Sequence, residues 1–262
     1  MPSTVLLSPD NAPLRTLTLS RLQLDQDEPA CTVETTGEEL LIYNLIGKVE
    51  IREYSYGDMW DWGTVGERRK ITDPGVAAMR FPSGQARAIE ILLADFSADL
   101  LLVSVPGISD AVPPLPQITN AWAHQVGEGT HQREVREVPT PARYAISCGE
   151  TINPPGGVSS WPPHANAEDL AKFRAGATTW DEAFFIVAPS SGIAVLDGYY
   201  GDGTPVQDLV RLENGRAYPM CLGSHMCYAA QDSYLYYAWF YYGDALQKQY
   251  RKYADDVGVY RK

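Results

Sequence analysis

Residues 151–164 read TINPPGGVSSWPPH and end on His164, directly after two prolines that stiffen the loop. Glu182 follows as the second residue of DEAFF, the start of an aromatic strand, and His225 ends a Gly-Ser-His turn. Imidazole nitrogens and a carboxylate oxygen are ligands suited to Zn, Mn, Fe or Ni. The three pieces together predict one metal site, with the rest of the chain as its scaffold.

Short apolar runs separated by turn residues occur in both halves of the chain, as in an all-β sandwich or barrel. Helical periodicity is confined to residues 168–173 and 244–256. The sequence therefore predicts an all-β fold with minor helix. The predicted strands are residues 39–46, 48–54, 76–81, 88–93, 99–105, 182–188, 193–200, 206–212, 217–221 and 233–242.

A segment rich in proline and glycine, residues 106–116, is typical of a linker. It divides the chain into two predicted β domains, residues 1–116 and 117–262. Only the second can hold a histidine-based metal site, which leaves the first to packing, substrate walls or subunit contacts. The four histidines are His124, His131, His164 and His225.

Composition narrows the class of partner. The formal charge of −12 over 262 residues disfavours nucleic acid and anionic membranes, which would be repelled, and favours a small molecule. No apolar run approaches the roughly 20 residues that span a bilayer, and residues 1–10 do not resemble a signal peptide. We expect a cytoplasmic protein.

Four scattered cysteines are too few for a disulfide framework, so reduced thiols are expected. Cys221 and Cys227 flank His225 and could serve as thiolate ligands, but a cysteine in an apolar strand is most often a small buried hydrophobic residue.

Residues 151–164 resemble the signature of the 5-deoxy-glucuronate isomerases of inositol catabolism, which belong to the bicupin uronate isomerases. The resemblance extends over about residues 37–243. It implies two cupin (jelly-roll) β-barrels, a divalent metal in the C-terminal barrel, and conversion of an aldose-type uronate to its ketose. Supporting pieces occur in the same order as in the family: Gly127-Glu128-Gly129, Arg133-Glu134-Val135, Asp181-Glu182-Ala183-Phe184-Phe185 and Ser233-Tyr234-Leu235-Tyr236-Tyr237.

The resemblance also implies a set of metal ligands. The family positions correspond to His164, Asn166, Glu182 and His225, with Zn as the leading metal and Mn, Fe or Ni as the others. The family has a second histidine where this chain has Asn166, whose amide oxygen binds metals more weakly.

A second departure concerns the substrate. The family has a Gln-Arg pair where this chain has Leu196 and Asp197, which removes a positive charge suited to a sugar acid. Cations that could compensate are Arg133, Arg143, Lys172, Arg174 and Arg211.

Three functions stay open on the sequence. The first is a metal-dependent aldose–ketose isomerase that acts on a sugar or sugar acid. The second is a catalytically lapsed bicupin that binds a carbohydrate or is a structural subunit. The third is a metal-dependent cupin of another reaction type, such as an epimerase or an oxygenase, because two histidines and one carboxylate also suit non-haem iron. Candidate bases are Glu168, Asp169, Asp197 and several tyrosines. Tyr199, Tyr234 and Tyr236 are candidate wall residues, although a tyrosine in a strand more often serves packing than catalysis.

Two aromatic clusters need a separate interpretation. Residues 234–242 (YLYYAWFYY) must bury one face, and the other face either lines a sugar pocket or lies in a subunit interface. We favour the interface, which predicts a homo-oligomer. The second cluster is either a carbohydrate platform or a set of rings that cover a barrel end, and we favour the covering role because no base or metal ligand accompanies it. Its members are Tyr54, Tyr56, Asp58, Trp60, Asp61 and Trp62.

Overall fold

The structure is a computed structural model that describes residues 3–84, 86–106, 116–141, 144–165, 180–199, 205–220, 223–243 and 251–252. For residues 161–165, 180, 197–199, 205–207, 223–224 and 251–252 it describes the backbone alone. Within these ranges the secondary structure is twenty strands and one 3₁₀ turn, Gly129–His131, so the all-β prediction is confirmed. Predicted helix 168–173 lies outside the described residues. Of predicted helix 244–256 only residues 251–252 are described, and they form a short strand instead.

The chain divides into two compact units. The first holds residues 1–8, 16–122 and 137–148, and the second holds residues 9–15, 123–136 and 149–262. The predicted domains, 1–116 and 117–262, stay a prediction beside this division. The strands are β1 (Ser3–Leu7), β2 (Thr18–Leu24), β3 (Ala30–Thr36), β4 (Glu38–Ser55), β5 (Asp58–Arg68), β6 (Ala77–Phe81), β7 (Ala86–Leu93), β8 (Ala98–Pro106), β9 (Gln117–Asn120), β10 (Trp122–Val126), β11 (Arg133–Val138), β12 (Ser147–Asn153), β13 (Val158–Ala165), β14 (Trp180–Val187), β15 (Gly192–Tyr199), β16 (Pro205–Leu212), β17 (Ala217–Pro219), β18 (Gly223–Tyr228), β19 (Leu235–Gly243) and β20 (Arg251–Lys252).

Strand β4 organises the first unit. Its first half pairs with β6 and β8, and its second half pairs with β5 and β7. Leu40 and Ile42 enter the core from the first half, and Val49 and Ile51 from the second, so the inward positions change from even to odd numbers. Strict alternation would turn one half outward; the register irregularities near Gly47 correct this as a β-bulge does. The predicted strand break at Gly47 is therefore a kink inside one strand of 18 residues.

Gly47 is required at this kink. Its φ is +87°, and a Cβ there would lie 2.1 Å from the carbonyl oxygen of Ser97 and 2.7 Å from the Cα of Ala98. Any other residue would be strained by the backbone conformation and would collide with main-chain atoms.

The interior of the first unit is apolar, but charged pairs are buried at its margin. Arg80 lies 3.9 Å from the Glu39 carboxylate and donates to the carbonyl oxygen of Ile146 at 2.7 Å. Glu39 accepts hydrogen bonds from the backbone N–H groups of Ala145 and Ile146 at 2.6 and 3.1 Å. The backbone of Ala145 and Ile146 thus supplies hydrogen-bond partners to the buried side chains of Glu39 and Arg80.

The rings of the β4–β5 hairpin differ from the expectation that they cover a barrel end. Trp62 does pack against the apolar core. Tyr54, Tyr56 and Trp60 are 43%, 86% and 53% exposed and cover little. The aromatic cluster is therefore chiefly a surface feature of the hairpin.

The second unit contains two sheets. A six-stranded sheet has the order β10-β11-β12-β19-β14-β17, and a five-stranded sheet has the order β16-β15-β18-β13-β20. One apolar cluster takes Phe184 and Tyr237 from the larger sheet and Leu196 and Cys227 from the smaller, so the core lies between them. No helix long and apolar enough to cross a membrane occurs in the part of the chain that is described.

Candidate metal centre

An irregularity in β13 sets the position of His164. Ser159 pairs with Cys227 and His164 pairs with His225, so β13 advances five residues while β18 advances two. Ser160 begins the extra segment with a φ of +56°, and two prolines, which lack an N–H, occupy its end. The backbone register thereby places His164 directly opposite His225, whereas regular pairing would have carried it past.

Glu182 lies on β14, in the six-stranded sheet, and is buried. Its neighbour Phe184 belongs to the core cluster, and the alternation of β-strands puts Glu182 on that same inner face. Asp181 lies on the opposite face, where its carboxylate accepts a hydrogen bond from the backbone N–H of Arg15 at 2.9 Å. Of the two adjacent carboxylates, Glu182 is therefore the one directed to the interior.

His225 meets Glu182 from the other sheet. Its Nδ1 lies 4.0 Å from Oε2 of Glu182, and the two residues are 1% and 4% exposed. The imidazole packs edge-on against Phe184, with ring centroids 5.3 Å apart and a right angle between the planes. A buried carboxylate and a buried imidazole thus converge between the two sheets.

This pair fits the donor set of a divalent metal. At a tetrahedral angle, Zn²⁺ bonds of about 2.0–2.2 Å set two donor atoms about 3.4 Å apart, so these atoms at 4.0 Å would have to approach by about 0.6 Å to share one ion. Among the side chains that the structure describes, no group of three His, Cys, Asp or Glu residues forms a metal cage. The His164 side chain is not among them, and Asn166 lies outside the described residues, so half of the predicted set, Glu182 and His225, has a described geometry.

A hydrogen-bonded network lies next to the pair. Phe184 stacks on Tyr237 at 4.5 Å, and the Tyr237 hydroxyl donates to Oγ of Ser159 at 2.9 Å. Asn153 donates from its side-chain amide to the same Ser159 oxygen at 2.8 Å. Burial raises the pKa of Tyr237 to about 12. Tyr237 is therefore a neutral hydroxyl at physiological pH.

The remaining described wall beside His225 is apolar. Leu196 pairs with His225 in the sheet and is buried in the core cluster. Cys227 lies in the same cluster, and burial raises the pKa of its thiol, with the Glu182 charge acting in the same direction. Cys227 is thus a neutral, buried thiol, while Cys221 and the Asp197 side chain lie outside the description.

The tyrosines are distributed differently from the expectation. Tyr236 was expected as a wall residue, but its hydroxyl donates to the Glu150 carboxylate at 2.7 Å and the side chain is absent from the core cluster. Tyr237, its neighbour, is the ring that packs against Phe184. Alternation along the YLYYAWFYY strand shows that consecutive tyrosines face opposite ways, but it does not say which set faces the site. Candidate bases Glu168 and Asp169 lie outside the described residues.

Solved structures share this architecture. An IolB-like protein from Salmonella typhimurium superposes with a TM-score of 0.74 at 15% identity, over 94% of this chain and 90% of that one. A variant of oxalate decarboxylase OxdC from Bacillus subtilis gives a TM-score of 0.66 at 12% identity, over 95% and 74% of the two chains. Another structure of that decarboxylase, which has Mn(II) centres, gives 0.64 at 12% identity over the same shares. These likenesses confirm the predicted bicupin fold.

Sequence comparison gives the family. No curated protein matches the chain significantly. The model of the KduI/IolB family matches residues 3–257, nearly the whole chain, in agreement with the resemblance carried by residues 151–164. The chain therefore belongs to the KduI/IolB family, the 5-deoxy-glucuronate isomerase family of sugar isomerases.

Proposed function

We propose that this protein is a metal-dependent aldose–ketose isomerase acting on a sugar acid, similar to 5-deoxy-glucuronate isomerase of myo-inositol catabolism. The observation that carries the proposal is the buried contact between Glu182 and His225 across two sheets, in a member of a sugar-isomerase family. Burying a carboxylate and an imidazole costs desolvation free energy unless the two form an ion pair or bind a common metal ion. The pair therefore favours a metal site over a purely packing role.

The residues that would hold the metal are His164, Glu182 and His225, with Asn166 as a weaker fourth donor. Zn is the leading metal, and Mn, Fe and Ni suit the same donors. When bound, such an ion supplies a Lewis acid that polarises the substrate carbonyl. The narrow apolar surroundings, with Phe184 and Leu196 beside His225, exclude water from this part of the site.

The chain's own groups would orient the sugar and carry its proton. Aldose–ketose conversion moves a proton between adjacent carbons, which requires a base and a proton donor. The Tyr237 hydroxyl is protonated and donates its hydrogen to Ser159, so its oxygen can accept a hydrogen bond from a substrate hydroxyl. The base is among the open candidates, which include Asp197.

An anionic substrate needs a cation, and Arg133 is the described side chain that best supplies it. Its positive charge acts on the Tyr237 phenol and lowers the pKa of that group, against the larger effect of burial. Its Nη1 donates to the carbonyl oxygen of His131 at 3.0 Å, which fixes the guanidinium. Arg133 is thus our candidate for the cation that binds the substrate carboxylate, because this chain has Asp197 where the family has an arginine.

The alternative is a bicupin that has lost catalysis and retains carbohydrate binding or a structural role. Leu196 favours it, because an apolar residue in the core cluster stands at a position where the family has a polar side chain. Asn166, which stands where the family has a histidine, also favours this alternative, because its amide oxygen binds metals more weakly.

The test is an isomerase assay on a panel of uronic acids, with protein stripped of metal and then supplied separately with Zn, Mn, Fe or Ni. We expect ketose formation with at least one metal, a loss of at least about 100-fold in kcat/KM in His164→Ala, and unchanged turnover in the matched variant His124→Ala. An absence of turnover with every metal and every uronate, in folded protein, would contradict the isomerase and favour the lapsed bicupin.

A further inference from the structure

The hairpin between β4 and β5 has an unusual turn residue. Ser55 pairs with Asp58, so Tyr56 and Gly57 form a two-residue loop, and both have positive φ, 54° and 87°. Such a loop favours Asn or Gly at its first position, because a bulky residue with positive φ strains the backbone. Tyr56 is 86% exposed, so packing does not offset this strain. A strained, exposed ring is better explained by binding than by folding.

A cavity of about 570 Å³ lies beside this turn. It is bounded by residues 34–36 of β3, residues 54–59 of the hairpin and residues 86–88 of β7, and we name it the hairpin cavity. Its size falls within the range of small-molecule sites. The Tyr54 hydroxyl donates to the Glu90 carboxylate at 3.1 Å, so the second tyrosine ring at the rim is held in place.

Arg87 lines the hairpin cavity as a buried cation. The residue is 5% exposed, and its Nη1 lies 3.5 Å from the Glu53 carboxylate without hydrogen-bond geometry. The other oxygen of Glu53 accepts from the indole N–H of Trp62 at 3.0 Å. Within the described part of the chain, the Nε and Nη1 groups of Arg87 make no hydrogen bond. Both groups are closed off from water, and therefore from a ligand in the cavity, so Arg87 acts on the hairpin cavity through its positive charge rather than as a donor.

Charge narrows the ligand class. Glu34 and Asp58 line the hairpin cavity with Arg87, and Glu53 lies behind Arg87 as its ion-pair partner. Carboxylates thus outnumber the cation, which disfavours an anion. Thr35 and Ser55 line the cavity as well. Hydroxyl groups and exposed rings together suit a ligand with many hydroxyls and an apolar C–H face.

We propose that the hairpin cavity binds a neutral sugar or polyol, with Tyr54 and Tyr56 against the C–H face of the ligand and the hydroxyls of Thr35 and Ser55 hydrogen-bonded to its hydroxyl groups. This site lies in the first unit and uses none of the residues of the candidate metal centre, so it stands whether or not the protein is an isomerase. It assigns to the aromatic cluster of the hairpin a binding role, in place of the covering role expected from the sequence.

Saturation-transfer NMR on the full chain tests this site with glucose and glucuronate, which differ at C6 by a hydroxymethyl and a carboxylate. The variants are Tyr56→Asn, which suits the turn, and Ser55→Ala, which removes a hydroxyl from the cavity lining. The control is Phe96→Ala, because Phe96 is 82% exposed and does not line the hairpin cavity.

We expect glucose binding at millimolar concentration that weakens at least about fivefold in Tyr56→Asn and in Ser55→Ala and is unchanged in Phe96→Ala. Tyr56→Asn should also melt at a higher temperature than the parent, which separates a loss of binding from a loss of folding. Binding at the hairpin cavity is the part of the signal that is lost in Tyr56→Asn. For that part, we expect a weaker affinity for glucuronate than for glucose. The proposal is overturned by the absence of glucose binding, by equal binding in Tyr56→Asn and the parent, or by a preference for glucuronate in that binding.

Discussion

At the scale of single residues, the candidate centre depends on which of two neighbours faces inward. Asp181 is held by the backbone of Arg15, and Glu182 approaches His225. The two side chains have the same chemistry and differ in register by one residue. A one-residue shift of β14 would exchange them and remove the carboxylate from the interior. The pairing of β14 with β19, unbroken from residue 180 to residue 187, prevents that shift.

Tyr237 allows a test of burial beside the centre. Its pKa is raised from 10.0 to about 12, so the folded state holds the proton more tightly than the unfolded state. Its contribution to stability is therefore complete below pH about 10 and is lost as the pH rises from about 10 to about 12, by about 2 kcal/mol. In Tyr237→Phe we expect urea-measured stability to fall less steeply over that range than in the parent.

The same variant should lose about 1 kcal/mol at neutral pH, because the hydrogen bond to Ser159 is removed. Parallel decline of the parent and Tyr237→Phe with alkaline pH would show that Tyr237 titrates normally and that the hydroxyl is not buried as described.

The proposed ligand residues have a sequence signal, and the residues that pack beside them do not. His164, Glu182 and His225 stand in short motifs with distinctive neighbours, and a resemblance to a family orders them. Tyr237 and Asn153 have no such signal. Tyr237 lies in a strand in which six of the nine residues are aromatic, so composition alone cannot separate the inward rings from the outward ones. The face of the sheet to which each side chain points is set by the register with the partner strand, which a single sequence does not show.

At the scale of elements, two irregular strands set the geometry. In β13 the irregular segment brings His164 opposite His225, and in β4 the kink at Gly47 lets one strand serve both halves of the first sheet. The sequence indicated a break at each place, a proline pair and a glycine. It could not distinguish a bulge within a strand from a turn between strands, because both need the same residue types.

Gly47→Ala tests the kink in β4. The new Cβ would lie 2.1 Å from the Ser97 carbonyl oxygen, so the main chain must move as well as adopt a strained φ. We expect a loss of about 3 kcal/mol in the free energy of unfolding, measured with urea. Gly37→Ala is the matched control, because Gly37 also has positive φ but a Cβ there has nothing within 4 Å.

The control should cost about 1 kcal/mol, the strain of the backbone alone. Equal losses in Gly37→Ala and Gly47→Ala would mean that β4 is not confined at the kink and that the close approach of Ser97 is wrong.

At the scale of the whole molecule, the all-β class and the bicupin fold were predictable, and the path of the chain between units was not. Strand runs and turn spacing gave the class, because alternation and turn residues are local signals. Segments 9–15 and 137–148 belong to units other than those their sequence neighbours suggest. Their placement depends on contacts with distant residues, such as the one from Arg80 to Ile146.

Two fragments test how the first unit is completed. A fragment of residues 1–116 lacks β9, which pairs with β6, and lacks the backbone groups of residues 145–146 that serve Glu39 and Arg80. Buried charges that lose their partners cost several kcal/mol. We therefore expect residues 1–148 to unfold cooperatively in urea, followed by circular dichroism, and residues 1–116 to show no cooperative transition. Equal midpoints for the two fragments would instead support the predicted boundary at residue 116.

The most direct test of the proposed metal centre is the metal content per chain, measured by elemental mass spectrometry on protein purified without chelator. We predict about one divalent metal per chain, Zn foremost, lost in His225→Ala and in Glu182→Gln and retained in the matched control His124→Ala. Circular dichroism would confirm that each variant is folded. Parent protein that stays metal-free after exposure to Zn, Mn, Fe and Ni, or a His225→Ala variant that keeps its metal, would contradict the proposed centre.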